Sequence, residues 1–330
     1  MKENLNRLVI NGKGETKIVY PNERTFFADK KTPLISEDHL LSQLTEARRI
    51  YQEMEVGQRE ATVRLQPQYP DLPTYLWLNT DAHVGSVLTD YGAFLRDYHS
   101  VLETPNFYTV SNGDEVDNFM VTLGKAATGV YEDPISPQQQ ALLIQSLYRK
   151  MDTQGKLLAM SFGNHNQWLR GAGYKFENTW LRDVNCPVLN CGGVLHIELG
   201  TQTYDLAMSH SHWGNSKLNP TNAAKRMLEH EYPTADICFL GHTHTKEVLH
   251  FNRGGKDRLA VIGGTYKVDD EFGAEHGMGR GGVGECGITI ALSPDRRQMQ
   301  DFYTVDEALE TFSLQREIAR RTKEGVYNKP

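Results

Sequence analysis

Short apolar runs that end in polar residues constrain the fold of this 330-residue chain more than any other feature. From residue 75 onward, runs rich in β-branched and aromatic residues are bounded by turn residues, as is typical of buried strands. We predict strands over 75–79, 107–110, 157–162, 194–199, 204–209, 237–240, 259–262 and 288–292. Helical patterns separate the early strands, notably after Ser136, whereas the later strands follow closely, as hairpins do. The sequence predicts a mixed α/β sandwich rather than an all-parallel sheet.

Two segments outside this core have helical patterns. Residues 35–54 follow Ser36, a candidate N-cap, and place apolar residues at intervals of three and four: Leu40, Leu44, Ala47, Tyr51 and Met54. We interpret this helix as packed onto the protein, with a partner-binding helix as the alternative. The expected organisation is an N-terminal extension over 1–70, a core domain over 71–305 and a polar-faced C-terminal helix over 306–330.

Composition narrows the classes of protein to consider. The chain is 39% hydrophobic and 23% charged, and it has no apolar run long enough to cross a bilayer. The first residues, MKENLNRLVINGKGETK, lack the apolar core of a signal peptide, so we expect a cytoplasmic protein with no membrane partner. The four cysteines lack zinc-knuckle spacing. A net charge of −7 provides no general attraction for nucleic acid, although bound metal ions supply positive charge locally.

Five of the predicted strands are followed at once by carboxylate, imidazole or carboxamide side chains. In chain order, these residues are Asp81 and His83, Asp114 and Asp117, Asn164 and His165, His210 and His212, and His242 and His244. Strand ends in α/β sheets are where ligands collect. A single His-x-His pair is commonly a surface or core detail, and a single Gly-Asp is commonly a turn. Repetition at five strand ends favours a metal site, because burying so many unpaired polar groups is costly.

The types of ligand indicate which metals fit. Imidazole, carboxylate and carboxamide groups without thiolate favour manganese, with iron or zinc as alternatives, and argue against a structural zinc site. A carboxylate such as Asp114 can bridge two cations, which lie roughly 3.5–4 Å apart in two-metal hydrolases. We therefore expect two divalent metal ions as cofactors.

The ordered series D-x-H, G-D-x-x-D, G-N-H, H and G-H-x-H resembles the calcineurin-like metallophosphoesterase superfamily. The series runs from Asp81 to His244, about half of the chain. The resemblance implies a sandwich of two mixed β-sheets flanked by helices, with the catalytic domain over 71–305. It also implies a metal-dependent phosphoric ester hydrolase in which a hydroxide that bridges two metal ions attacks phosphorus in line with the leaving group.

The resemblance also assigns roles by motif position. The first metal ion would be bound by Asp81, His83, Asp114 and His244. The second would be bound by Asp114, Asn164, His210 and His242. His165 would face the substrate and stabilise or protonate the leaving oxygen. Asp117 would orient its loop through hydrogen bonds rather than bind metal.

Two features depart from the pattern or leave it open. Many members of the superfamily have an acidic residue after G-N-H, whereas this chain has Asn166, so a charged partner for His165 is missing unless another carboxylate substitutes. HSHWG offers both His210 and His212; we assign His210 to metal and His212 to the substrate, and an exchange of roles is the alternative.

A glycine-rich segment over 273–287 is interpreted as a flexible loop near the site, where Arg280 and His276 could meet a phosphate. It lacks the lysine and the strand-turn-helix context of a nucleotide-binding loop. Three tryptophans, Trp168, Trp180 and Trp213, are interpreted as packing residues. The alternative for Trp168 and Trp213 is stacking on a base.

The substrate is expected to be a phosphoester, with nucleic acid or a nucleotide as candidate classes. Protein phosphatases of the superfamily typically have arginine in G-D-x-V-D-R-G and R-G-N-H-E, whereas this chain has GDEVDNF and SFGNHNQ. DAHVG resembles the break-repair nucleases, and the whole pattern resembles phage and bacterial phosphoesterases and DNA exonucleases. We predict a phosphodiesterase or exonuclease-like hydrolase. The alternatives are a phosphomonoesterase acting on a small nucleotide and a non-catalytic metal-bound scaffold; the oligomeric state is not predicted.

Overall fold

The computed structural model describes residues 7–10, 16–19, 25–27, 38, 41–46, 59–118, 133–168, 184–214, 218–268 and 287–324. The chain divides into two compact units, Met1–Val56 and Gly57–Pro330. In the first unit, β1 (Arg7–Ile10), β2 (Thr16–Val19) and β3 (Thr25–Phe27) form an antiparallel sheet. Residues 38 and 41–46 are helical, with Leu41 and Leu44 exposed, and the rest of the helix predicted over 35–54 lies outside the described residues.

The second unit alternates strands and helices along the chain. In order, its elements are β4 (Glu60–Leu65), β5 (Thr74–Asn79), α1 (Tyr91–Glu103), β6 (Phe107–Asn112), α2 (Pro137–Thr153), β7 (Leu157–Ser161), α3 (Asn164–Trp168), β8 (Gly192–Leu199), β9 (Gln202–Ser209), α4 (Asn222–His230), β10 (Ile237–Leu240), β11 (Glu247–Arg253), β12 (Lys256–Ile262), β13 (Thr289–Leu292), β14 (Met299–Phe302) and α5 (Val305–Lys323). All eight strands predicted from the sequence are present, as is the helix after Ser136.

These strands form two mixed sheets. One has the order β14-β13-β5-β6-β7, in which β5, β6 and β7 are parallel and β13 is antiparallel to both of its neighbours. The other has the order β11-β12-β10-β9-β8-β4, in which β9, β10 and β12 are parallel, while β11 and β8 each join by an antiparallel pairing. The fold class is therefore the predicted one, a sandwich of two mixed sheets flanked by helices.

The alternation of side chains along β5 shows how the sheets become layered. All six residues of this strand are buried. Tyr75 and Trp77 belong to the core under the helices, whereas Leu76 and Leu78 belong to the core between the sheets. Because successive side chains of a strand point to opposite faces, an apolar strand without polar alternation must be covered on both sides.

Helices supply the outer layers. α1, α2 and α5 contribute Phe94, Ile144 and Phe312 to the core on one face of the five-stranded sheet. α4 packs its small and apolar face against the six-stranded sheet, with Ala224 and Met227 in one cluster with strand residues of β9, β10 and β12. α2 begins with a capping box, in which Ser136 and Gln139 bond each other's backbone N–H groups. Helices thus lie on both sides of the pair of sheets.

Three strands of this unit are absent from the sequence prediction. β4 reads EATVRL and alternates exposed and buried residues at a sheet edge, where it pairs with β8. It falls within the extension predicted over 1–70, and the predicted domain boundaries stay a prediction. β11 and β14, each at the end of a sheet, are also partly exposed. In the part of the chain that the structure describes, no helix is both long enough and apolar enough to cross a membrane.

Replacing Leu206 by alanine tests the core between the sheets. Leu206 is fully buried there, so Leu206→Ala should lower the free energy of unfolding by about 2–5 kcal/mol. Leu142→Ala on the exposed face of α2 is the matched control and should change it by less than about 0.5 kcal/mol. Urea unfolding measures both, and equal effects of the two substitutions would contradict the assigned layers.

Candidate metal centre

The two sheets bring their polar strand ends together at one edge. Asn112, the last residue of β6, donates its Nδ2 hydrogens to Ser209 O at 2.9 Å and Phe239 O at 3.0 Å, so it ties β6 to β9 and β10 of the other sheet. Its own carbonyl accepts a hydrogen bond from His210 Nδ1 at 2.7 Å. The polar runs that follow β5, β6, β7, β9 and β10 therefore meet at one place.

The first group of candidate ligands surrounds one carboxylate oxygen. Asp81 Oδ1 lies 3.3 Å from His244 Nε2 and 3.8 Å from His83 Nε2, and the two imidazole nitrogens are 3.0 Å apart. The three ligand atoms all lie within 4.8 Å of one another. Asp81 and His83 are buried, and His244 is half-buried. This arrangement is one that a divalent cation could occupy.

The second group lies beside the first. Asp114, His210 and His242 offer ligand atoms within 4.8 Å of one another, and His210 Nε2 is 2.8 Å from Asp114 Oδ2. His210 Nε2 also lies 4.0 Å from Asp81 Oδ1, which places the two groups side by side. The structure thus separates His242 and His244 into different groups, although one threonine separates them in the chain.

Unpaired polar atoms indicate that this cluster fits cations. Asp81 Oδ1, Asn164 Oδ1 and His210 Nε2 are buried and make no well-aligned hydrogen bond with the described residues, although His244 Nε2 lies near the first and Asp114 Oδ2 near the last. A buried polar group left unpaired costs about 1–3 kcal/mol. Carboxylate and imidazole donors that converge in this way suit divalent transition metals, and the absence of thiolate from these groups agrees with manganese, iron or zinc.

The backbone is strained at the same residues. Asp81, His83, Asp114, His242 and His244 have φ angles of 48°, 45°, 53°, 71° and 54°. Side chains other than glycine rarely adopt this left-handed region, and strained residues of this kind cost about 1–3 kcal/mol each and cluster at functional sites. The strain supports a site selected for its geometry rather than for stability.

Two glycines make room for the carboxylates. A Cβ atom on Gly163 would lie 2.0 Å from Asp114 Oδ1, and one on Gly241 would lie 2.5 Å from Asp81 Oδ2. Neither glycine has a positive φ angle, so their role here is to leave space rather than to permit an unusual backbone. The carboxylates also accept backbone hydrogen bonds at 2.9 Å: His165 N donates to Asp114, and His242 N donates to Asp81.

Opposite charges set the protonation states of the cluster. Burial alone would lower the pKa of His83, but the hydrogen bond with Asp117 and the nearby Asp81 carboxylate raise the pKa to about 9. Burial also opposes a charged His210, but Asp114 and Asp81 raise its pKa to about 10. Burial would raise the pKa values of both Asp81 and Asp114, yet the neighbouring histidines, His210 above all, hold them well below the usual range.

His165 and Asn166 are neighbours in the chain, but their side chains make hydrogen bonds with different parts of the site. Asn166 Oδ1 accepts from Asp114 N and Gly163 N, each at 2.9 Å, and its Nδ2 donates to Glu115 Oε2 at 2.8 Å. Asn166 therefore links the loop that follows β6 to the loop that follows β7. His165 Nδ1 donates to the backbone carbonyl of Asp117, and burial lowers the pKa of His165 to about 4.

Lys267 lies beside the site at the end of a sixth strand, and the sequence did not predict this position. It follows β12 in the run Gly-Gly-Thr-Tyr-Lys and is buried, with its Nζ 3.1 Å from Asp117 Oδ1. The same oxygen accepts from His83 Nδ1 at 2.8 Å. His83, Asp117 and His165 also satisfy the distances of a metal group, but these contacts agree with the predicted role of Asp117 in hydrogen bonding.

The residues predicted to contact the substrate lie outside the cluster or outside the described residues. His212 lies outside all three candidate metal groups: its Nε2 is 2.5 Å from Glu231 Oε1, and its Nδ1 donates to Trp213 O at 2.8 Å. The structure thus brings His210 rather than His212 into the cluster. Arg280 and His276, with most of the glycine-rich segment, lie outside the described residues, as does Trp180. The Trp168 ring packs on the His165 ring, with centroids 3.8 Å apart.

Comparison with known proteins gives structural similarities of low identity. No family model and no curated protein matches the chain. Among solved structures, 70% of the chain aligns with 53% of a putative 5'-nucleotidase from Staphylococcus aureus, at 14% identity and a TM-score of 0.43. The chain thus spans about half the length of that protein.

Two smaller proteins align over nearly their whole length. A predicted phosphoesterase from Streptococcus pneumoniae is covered to 97% by 70% of this chain, at 16% identity and a TM-score of 0.32. Vacuolar protein sorting 29 from Cryptosporidium parvum is covered to 99% by 70% of this chain, at 14% identity and a TM-score of 0.36. The fold described above is established by the sheet topology of this chain itself.

Replacing Asp117 by asparagine tests its role beside the first group. Asp117→Asn removes the charge that His83 and Lys267 share, so manganese affinity should fall about 10–100-fold, as is typical when a group that orients a metal ligand is lost. Isothermal titration calorimetry measures the change. Asp205→Asn is the matched control, since Asp205 accepts from His196 Nδ1 at 2.7 Å away from the cluster. Equal affinity in the two variants would exclude the role.

Manganese affinity should also rise with pH. The raised pKa values of His83 and His210 keep both protonated at pH 7 in the metal-free protein, and cation binding must displace those protons. Affinity should therefore increase about tenfold per pH unit for each proton released, up to about pH 9–10. Calorimetry in buffers of different ionisation enthalpy counts the protons, and pH-independent affinity between pH 6.5 and 9 would contradict these assignments.

Proposed function

We propose that this protein is a metal-dependent phosphodiesterase that works at the Asp81–His244 cluster. One observation carries the proposal: two groups of aspartate and histidine lie side by side at the joined edge of two mixed sheets, with the buried Oδ1 atom of Asp81 between them. The ordered motif series that supplies these residues resembles that of the metallophosphoesterase superfamily. The similarities to solved structures are not used to assign a role to any residue.

Two divalent cations fit the donors present. We assign one to Asp81, His83 and His244 and the other to Asn164, His210 and His242, with Asp114 shared between them, and we expect manganese with iron or zinc as alternatives. Bound cations of this kind neutralise charge on a phosphate and lower the pKa of bound water. The chain's own residues have to place the ligands and receive the substrate.

The neighbours of the histidines fix which ring nitrogen is available. A carboxylate or carbonyl oxygen can only accept, so His83 donates from Nδ1 to Asp117, and His210 donates from Nδ1 to Asn112 O. Each imidazole therefore turns its Nε2 lone pair toward the cluster when it is neutral. Lys267 stabilises the negative charge of Asp117 and so supports the first of these contacts.

His165 is the candidate for contact with the departing oxygen. Its Nε2 lies 3.9 Å from Asp114 Oδ2, so the ring borders the second group without belonging to it. With a pKa of about 4 the imidazole is neutral at pH 7. A bound phosphate raises this pKa, because a nearby negative charge favours the imidazolium form, and proton donation by His165 then depends on the substrate.

Replacing a shared or terminal ligand should remove activity without unfolding the protein. We expect Asp114→Asn and His244→Asn each to lower kcat/KM for bis(4-nitrophenyl) phosphate with manganese at least 100-fold, about 2.7 kcal/mol of transition-state stabilisation. His99→Asn, on the exposed face of α1, is the control and should keep full activity. Circular dichroism checks the fold, and a folded Asp114→Asn variant with normal turnover would overturn the proposal.

A parallel assay with 4-nitrophenyl phosphate separates the classes of phosphoester. Faster turnover of the diester supports a phosphodiesterase, whereas faster turnover of the monoester would replace it by a phosphomonoesterase. Hydrolysis of neither ester with manganese, iron or zinc would favour a non-catalytic metal-bound scaffold.

A further inference from the structure

The loop that leaves the cluster at His210 presents a tryptophan to solvent. Trp213 is 65% exposed, whereas the other described tryptophan outside the site, Trp77, is fully buried. Tryptophan is a residue that proteins mostly bury, because its ring carries a large apolar surface. Its exposure close to a candidate catalytic centre therefore calls for a functional reason.

Helix α4 holds this loop at three points. Asn222 Nδ2 donates to Gly214 O at 3.0 Å, Glu231 at the end of the helix contacts His212 Nε2, and the Arg226 guanidinium carbon lies 4.0 Å from the centroid of the Trp213 ring. These contacts hold the ring in place before any ligand binds. A preorganised aromatic ring loses less conformational entropy on binding than a mobile one.

Arg226 adds a positive charge to this surface. No described carboxylate lies within ion-pair distance of its guanidinium group, and its Nε has no hydrogen-bond partner among the described residues. Arginine stacks on aromatic rings and pairs with phosphate through its remaining N–H groups. The Trp213–Arg226 pair thus offers an aromatic surface and a phosphate-binding cation in one place.

The spacing to the candidate metal ligands suits a nucleic-acid substrate. Trp213 is the third residue after His210, which limits the distance between their Cα atoms to about 11 Å. The ring is therefore close enough to the cluster to meet the base of a nucleotide whose phosphate is bound there. Because the net charge is −7, stacking and local charge must supply affinity that a general basic surface would otherwise provide.

We propose that Trp213, backed by Arg226, is a stacking platform for a nucleobase attached to the scissile phosphodiester. The substrate class is therefore a phosphodiester that carries an accessible base, as in single-stranded DNA or RNA. The proposal rests on the proposed function for the position of the scissile phosphate. It assigns His212 a supporting role, because both of its ring nitrogens are engaged in holding the loop.

Two aryl diesters with the same leaving group test the platform. Thymidine 5'-(4-nitrophenyl phosphate) carries a base, whereas methyl 4-nitrophenyl phosphate does not. We expect Trp213→Ala to lower the ratio of their kcat/KM values about 5–150-fold, the range that corresponds to one base stacked on an aromatic ring. Trp213→Phe should retain most of the ratio, and Leu218→Ala, which removes a 98% exposed apolar side chain five residues away, should not change it.

A binding measurement without turnover separates failure of this proposal from failure of the proposed function. Fluorescence anisotropy with a short labelled oligothymidylate in EDTA should show at least about 5-fold weaker binding by Trp213→Ala than by wild type and Leu218→Ala. If wild type hydrolyses neither ester, the proposed phosphodiesterase fails, and this binding result alone decides the platform. An unchanged ester ratio together with unchanged oligonucleotide binding in Trp213→Ala would overturn the platform while leaving the metal site intact.

Discussion

The burial of two carboxylates among histidines is the constraint on which the rest of this structure depends. Asp81 and Asp114 are almost completely removed from water, yet both stay ionised. His210 stabilises both charges, His83 and His244 stabilise that of Asp81, and His165 stabilises that of Asp114. Such a cluster is a poor source of stability, because charged groups lose their hydration on burial. It requires a rigid frame, and the pair of mixed sheets, tied together at this edge by a buried asparagine, provides one.

Residues around the cluster hold the candidate ligands in backbone conformations that are unfavourable in themselves. Five candidate ligands have left-handed backbone angles, and Gly163 and Gly241 leave space that any larger residue would fill. Behind the ligands, Asp117 and Lys267 fix the orientation of the His83 ring, and Asn166 separately joins the loops of Asp114 and Gly163. The strain and the buried charges are stabilised by apolar cores on both faces of the sheets, so the geometry of the site depends on packing far from it.

Much of this could be predicted from the sequence, for physical reasons that also define where prediction fails. Strands buried on both faces, such as β5, are continuous apolar runs, and polar groups at their ends are conspicuous. For this reason the sequence could single out Asp81 and His244 as candidate metal ligands, and folding brings them together. Lys267 could not be predicted as part of the site, because only the sheet order shows that β12 ends at the same edge. The sequence suggested that Asn166 stands where a charged partner of His165 would be, but in the folded chain its amide donates to Glu115 instead. The edge strand β4, half polar, resembles an ordinary surface segment.

Anomalous diffraction at the manganese absorption edge, from crystals grown with manganese, shows whether two cations occupy this cluster. Two anomalous peaks are expected, one in contact with Asp81, His83 and His244 and the other with Asn164, His210 and His242, with Asp114 in contact with both. Anomalous density that avoids these residues, or none in a crystal saturated with manganese, iron or zinc, would contradict this assignment.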